Sequence, residues 1–79
     1  MEQKQLHGIL MLIGGEVLNL IIERKKVTYD EAAKIFYSSR LYEVLEDEKS
    51  KLWRFSAEML YSLLDEELTT GKITFPEEQ

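Results

Sequence analysis

The chain reads as all-α: a small orthogonal array or bundle of roughly three to five helices, with a long N-terminal helix and a short extended C-terminal tail. Two features predict this. The stretch Leu6–Ile22 carries apolar residues at helical spacing, and the rest of the chain holds well-formed helix start and stop signals. The 79 residues, 44% of them apolar, make one domain (1–79, with 72–79 as tail) near the lower size for a single core.

At about 100° per residue, Ile9, Leu20, Ile13, Leu6, Val17, Leu10 and Ile21 share one face. Leu18, Met11 and Ile22 widen it beyond the stripe of an ordinary surface helix, so it needs cover from more than one side. The helix is expected over Glu2–Lys26, its acidic start and basic end (Arg24, Lys25, Lys26) both suiting the helix dipole. Gly8, Gly14 and Gly15 are costly inside it, at about 1 kcal/mol each relative to Ala. They imply a kink, simple tolerance, or the close approach of another helix, from the same chain or a second copy.

Thr28 and Glu31 have capping-box spacing, and Val27 can staple onto Ala32. A helix therefore starts at Tyr29 and carries Ala32, Ala33, Phe36 and Tyr37 inward. Ser38-Ser39 interrupts it, and either serine can cap a following helix bearing Leu41, Val44 and Leu45; a single bent helix is the alternative. Glu46, Asp47 and Glu48 sit badly at a helix C-terminus, so the chain should turn through Asp47–Lys51. Leu52, Trp53 and Phe55 then add apolar bulk, with Trp53 expected to pack between the last two helices. Ser56 reads as the next N-cap, with Phe55 stapling onto Leu60. That helix should put Met59, Leu60, Leu63, Leu64 and Leu68 on one face and Glu58, Ser62, Asp65 and Glu66 on the other. Gly71 suits its C-terminus, and in the tail Ile73 and Phe75 can dock before Pro76.

With 10 basic and 15 acidic residues the net charge is −5, which opposes binding to a phosphate backbone. The lack of Cys excludes disulfides, thiolate catalysis and Cys-based zinc sites, and fits a cytoplasmic location. A membrane span is not expected: Glu16 and Asn19 interrupt the apolar run, which falls short of the ~20 residues a crossing needs. The start MEQKQ is also a poor signal peptide.

His7, the only histidine, has no Cys or spaced acidic partner to form a metal site or triad. It reads as a partly buried polar residue or an interface group. No phosphate-binding loop or nucleophile elbow is present. Neither an enzyme nor a cofactor or metal is expected. Glu43, Glu46, Asp47 and Glu48, and again Asp65, Glu66 and Glu67, read as solvated acidic faces. Among them Glu43, Glu46 and Asp47 are the candidate surface for a basic protein partner. Residues 28–45 superficially resemble a helix-turn-helix, which makes a nucleic-acid-binding regulator the alternative function. Its reading helix, however, would carry Glu43, Glu46 and Asp47 toward phosphates. Tyr37, Tyr42, Trp53, Phe55 and Tyr61 recur at helical spacing and read as core.

The segment Phe36–Trp53, with the pattern F-Y-x-S-x-L-Y-x-x-L-x-D-E-x-x-x-L-W, resembles an uncharacterised family of small helical proteins from Gram-positive bacteria. The resemblance extends through Leu63–Leu68. It implies a binding role, regulatory or antitoxin-like, and supplies no catalytic residue. The expected function is thus a non-catalytic protein–protein interaction module. The breadth of the first helix predicts a homodimer contacting through Met11, Gly15, Leu18 and Ile22.

Overall fold

A computed structural model describes residues 3–75. The order is α1 (Gln3–Lys25), α2 (Tyr29–Tyr37), α3 (Arg40–Leu45), two 3₁₀ turns (Glu48–Ser50 and Leu52–Arg54) and α4 (Ala57–Thr70). The described residues are all-α, without a strand. Glu2 and Pro76, which the sequence reading used, lie outside them.

α1 runs unbroken through Gly8, Gly14 and Gly15. Gly14 has a packing reason. A Cβ built there would lie 3.5 Å from the Phe36 ring, so Phe36 of α2 packs at van der Waals distance from the α1 backbone. Val17, Leu18 and Ile21 then join Ala32, Phe36, Leu41, Leu45, Leu60 and Leu64 in one buried cluster. Lys26 adopts a left-handed φ of 57° and ends the helix.

The local starts form as their side chains dictate. Thr28 Oγ1 accepts from the Glu31 N–H at 3.2 Å, while the Glu31 carboxylate accepts from the Thr28 N–H at 3.2 Å. α2 and α3 are separate helices. Ser39 is the cap between them: its Oγ accepts from the Tyr42 N–H at 3.0 Å and donates to the Phe36 carbonyl at 2.6 Å. Asp47 caps the first 3₁₀ turn by accepting from the Lys49 N–H at 3.0 Å. Trp53 is half-buried against the core and donates Nε1–H to the Glu48 carbonyl at 3.1 Å, which ties the two turns together. Ser56 caps α4 through the Met59 N–H at 3.2 Å, and Gly71 ends it at φ 80°.

On α4 Leu60, Leu63 and Leu64 are buried as expected, together with Tyr61, also read as core, whereas Met59 and Leu68 at the ends of that face are exposed. α1 contacts the same helix through its charged end. Arg24 binds both oxygens of Glu58 (2.7 and 2.9 Å) and lies 5.1 Å from the Tyr61 ring centroid, while Lys25 reaches Asp65 at 2.8 Å. These contacts join the end of α1 to α4 and place two cations against the Tyr61 ring. The hydrogen bond to Asp65 raises the Lys25 pKa, against the lowering effect of burial.

The run Asp65-Glu66-Glu67 is therefore not a solvated face. Glu66 accepts from the Thr74 N–H and hydroxyl (2.9 and 2.8 Å), which lowers its pKa and ties down the tail, where Ile73 and Phe75 pack half-buried. Glu67 accepts from the N–H groups of Arg40 and Leu41 (2.9 and 3.1 Å). It covers the start of α3 from another helix.

Glu67→Ala, which strips the cover from the start of α3, should lower stability by about 1–2 kcal/mol in urea unfolding. Gly14→Ala should be neutral or stabilising by up to about 1 kcal/mol, since its methyl reaches only ordinary contact with Phe36. Gly14→Leu should displace that ring and broaden or abolish the unfolding transition.

Candidate interaction surfaces

The covering of α1 is uneven along its length. Toward the C-terminal end Val17, Leu18 and Ile21 are buried; toward the N-terminal end Met11 and Leu12 are 67% and 72% exposed. Helical geometry groups Gly8, Leu12, Gly15 and Asn19 (i, i+4, i+7, i+11) in one stripe, with Met11 beside it. All five are exposed, and a Cβ at Gly8 or Gly15 would meet nothing within 4 Å.

Of the four residues expected to pair two copies, Met11 and Gly15 lie open, Ile22 is half-buried, and Leu18 is 3% exposed. Leu18 is corrected from interface to core, because the subunit's own cluster closes over it. Leu12, which the apolar-face assignment omits, is the most exposed large apolar residue of α1. Its signal was its position opposite the buried face. By length and composition Gln5–Lys25 could also cross a membrane, contrary to the sequence expectation. In this fold Val17, Leu18 and Ile21 are committed to the core.

A second feature lies on the adjoining side of α1. A cleft of about 310 Å³ is lined by His7, Leu10, Met11, Tyr37, Tyr42 and Glu46. Its aromatic wall is built from the core outward. Phe36, seated against Gly14, contacts Tyr37 and Tyr42 with centroids 5.2 and 5.1 Å away. Tyr37 and Tyr42 meet edge-to-face at 5.0 Å and 89°. Tyr37, expected inward, is 51% exposed and lines the cleft instead. Sitting in the last turn of a short helix, it is held by the other two rings.

The acidic candidates divide by role. Asp47 is used as a cap, Glu43 is exposed, and Glu46 is exposed and lines the cleft one turn after Tyr42. Burial pushes the Tyr42 pKa up, with the Glu46 carboxylate and Tyr37 adding to it. His7 is exposed at the cleft. Among the described residues no three His, Asp or Glu side chains gather as a metal site would require. Residues 28–45 do form helix, turn and helix, but α3 has six residues and presents Glu43 to solvent beside Arg40.

The setting of Tyr42 in the cleft has a consequence for its titration. A raised folded pKa means that Tyr42 favours folding below its unfolded value near 10.0, and that this contribution is lost as pH rises through the folded value. In tyrosine ring NMR titrations Tyr42 should ionise above that value. Glu46→Gln, by removing one neighbouring negative charge, should move its midpoint down. An unmoved midpoint would separate the two groups.

Compared with protein-family models, curated proteins and solved structures, the chain matches none. The reading of its surfaces therefore rests on their chemistry.

Proposed function

We propose that this chain is a non-catalytic protein–protein interaction module of the cytoplasm, with a regulatory or antitoxin-like role, that works as a homodimer. The helices are taken as a small orthogonal array with α1 laid across the shorter ones. The observation that carries the reading is the exposed stripe of α1: Leu12 and Met11, largely uncovered, flanked by Gly8 and Gly15 whose Cα positions look onto open space. Leaving a leucine in water forgoes about 1.5–3 kcal/mol available from its burial. Two glycines on the same stripe let a second helix approach the backbone closely, and a second copy brings a stripe of matching shape. The exposed Glu43 and Glu46 weigh against nucleic acid as the partner, since phosphates would be repelled there.

Sedimentation equilibrium over micromolar to near-millimolar concentration tests the pairing. The wild-type chain should show a concentration-dependent dimer, and Leu12→Glu should stay monomeric with unchanged helix content. Gly15→Ala separates pairing from folding. The methyl should raise subunit stability by about 1 kcal/mol through helix propensity, while weakening the dimer by keeping the two backbones apart. A wild-type monomer at every concentration would sink the proposal. So would Leu12→Glu pairing as the wild type does, or flotation of the folded chain with lipid vesicles.

A further inference from the structure

We propose that the cleft between α1 and α2–α3 seats an arginine side chain presented by an apolar segment of a partner protein. This inference rests on the interaction-module reading and names the partner's chemistry. Beside the His7 imidazole, the walls fall into three kinds: Leu10 and Met11 supply apolar surface, the Tyr37–Tyr42 pair supplies aromatic rings, and Glu46 supplies a carboxylate. An aliphatic stem, a planar cation and its charge match these in turn. Among the described residues Glu46 makes no ion pair, and neither Tyr37 nor Tyr42 makes a hydrogen bond through its hydroxyl. Asp47, Glu58, Asp65, Glu66 and Glu67 are by contrast engaged within the chain.

The chain contains its own example of the arrangement. Arg24 lies 5.1 Å from the Tyr61 ring centroid and binds Glu58 through two contacts of 2.7 and 2.9 Å, so one ring and one carboxylate hold one guanidinium. The cleft repeats the ring and the carboxylate, with a second ring at right angles. Arginine fits better than lysine, because its flat fork can lie against a ring while donating twice to a carboxylate. The volume is at the low end for small-molecule sites and open on one side, which suits a side chain reaching in from a protein surface. The net charge of −5 favours the approach of such a cationic segment.

The test is an NMR titration of the isotope-labelled full chain with the tripeptide acetyl-Leu-Arg-Leu-amide, alongside its citrulline and lysine counterparts. Shifts should centre on Leu10, Met11, Tyr37, Tyr42 and Glu46. The citrulline peptide, similar in shape but uncharged, should bind about tenfold more weakly, the loss expected for one charge-assisted contact. The lysine peptide should fall between the two. Glu46→Gln should erase the arginine preference without lowering the melting temperature, since the Glu46 backbone N–H bond to the Tyr42 carbonyl is kept and its carboxylate holds nothing in the fold among the described residues. Equal binding of the arginine and citrulline peptides would place an uncharged apolar segment in the cleft and overturn the assignment, as would shifts confined to the Gly8–Leu12–Gly15 stripe. If the chain pairs through Leu12 while the cleft ignores the arginine probe, the interaction-module reading stands and this inference falls. If the chain is monomeric and the cleft ignores the probe, both fall.

Discussion

A helix that is apolar around much of its circumference has to be covered by shorter helices, and the cover runs out. α1 has 23 residues and α4 has 14, or about 34 and 21 Å at 1.5 Å per residue. α2 and α3 are shorter still. Placing them against the C-terminal half of α1 buries Val17, Leu18 and Ile21 completely or nearly so. The N-terminal half receives only partial cover, and Met11 and Leu12 are left outside. Both surfaces described above follow from this shortfall: the stripe is where no helix reaches, and the cleft is where α2 and α3 reach α1 incompletely.

Charge then fixes what apolar packing alone leaves free to slide. Helices sharing a greasy face can rotate or shift at little cost, because hydrophobic burial is not directional. Arg24–Glu58 and Lys25–Asp65 join the end of α1 to α4, and Glu67 fixes α3 to the same helix. Exposed ion pairs of this kind add little stability each, about 0–1 kcal/mol. Their consequence is instead visible in geometry, in the two cations placed against the Tyr61 ring. The cost of satisfying Arg40 and Leu41 N–H groups would otherwise fall on α3, which is too short to hold together by its own hydrogen bonds.

The parts of this fold that could be read from sequence are those decided within about one helical turn. Thr28 with Glu31, Ser56 and Gly71 act on backbone groups a few residues away, and each sits where local chemistry requires. Reading failed where the partner is distant. Glu67 looks like one more surface acid until α3 is brought to it from 26 residues away. The Arg24–Glu58 pair, made across 34 residues, likewise has no local signal. Leu18 and Met11 lie only slightly apart around α1, and nothing local tells which is covered. That depends on how far along α1 the other helices extend. The cleft was the least accessible, because Tyr37 and Tyr42 belong to different helices and their spacing by itself suggests core.

Gly14 joins the core to the cleft. Phe36 sits over this position, with room there for no side chain larger than a methyl, and Tyr37 and Tyr42 pack against Phe36 in turn. Met11 stands on the other border, lining the cleft while lying beside the exposed stripe. An arginine in the cleft and a second copy on the stripe would therefore both touch the same thioether. Met is unbranched and adaptable, so it can pack against either neighbour, or both, at small cost. A residue shared by two binding events couples them to the extent that each contact prefers one Met11 rotamer over another, and that coupling is reciprocal. In a chain this small, with one core and one long helix, separate surfaces can communicate through a single side chain without any change of fold.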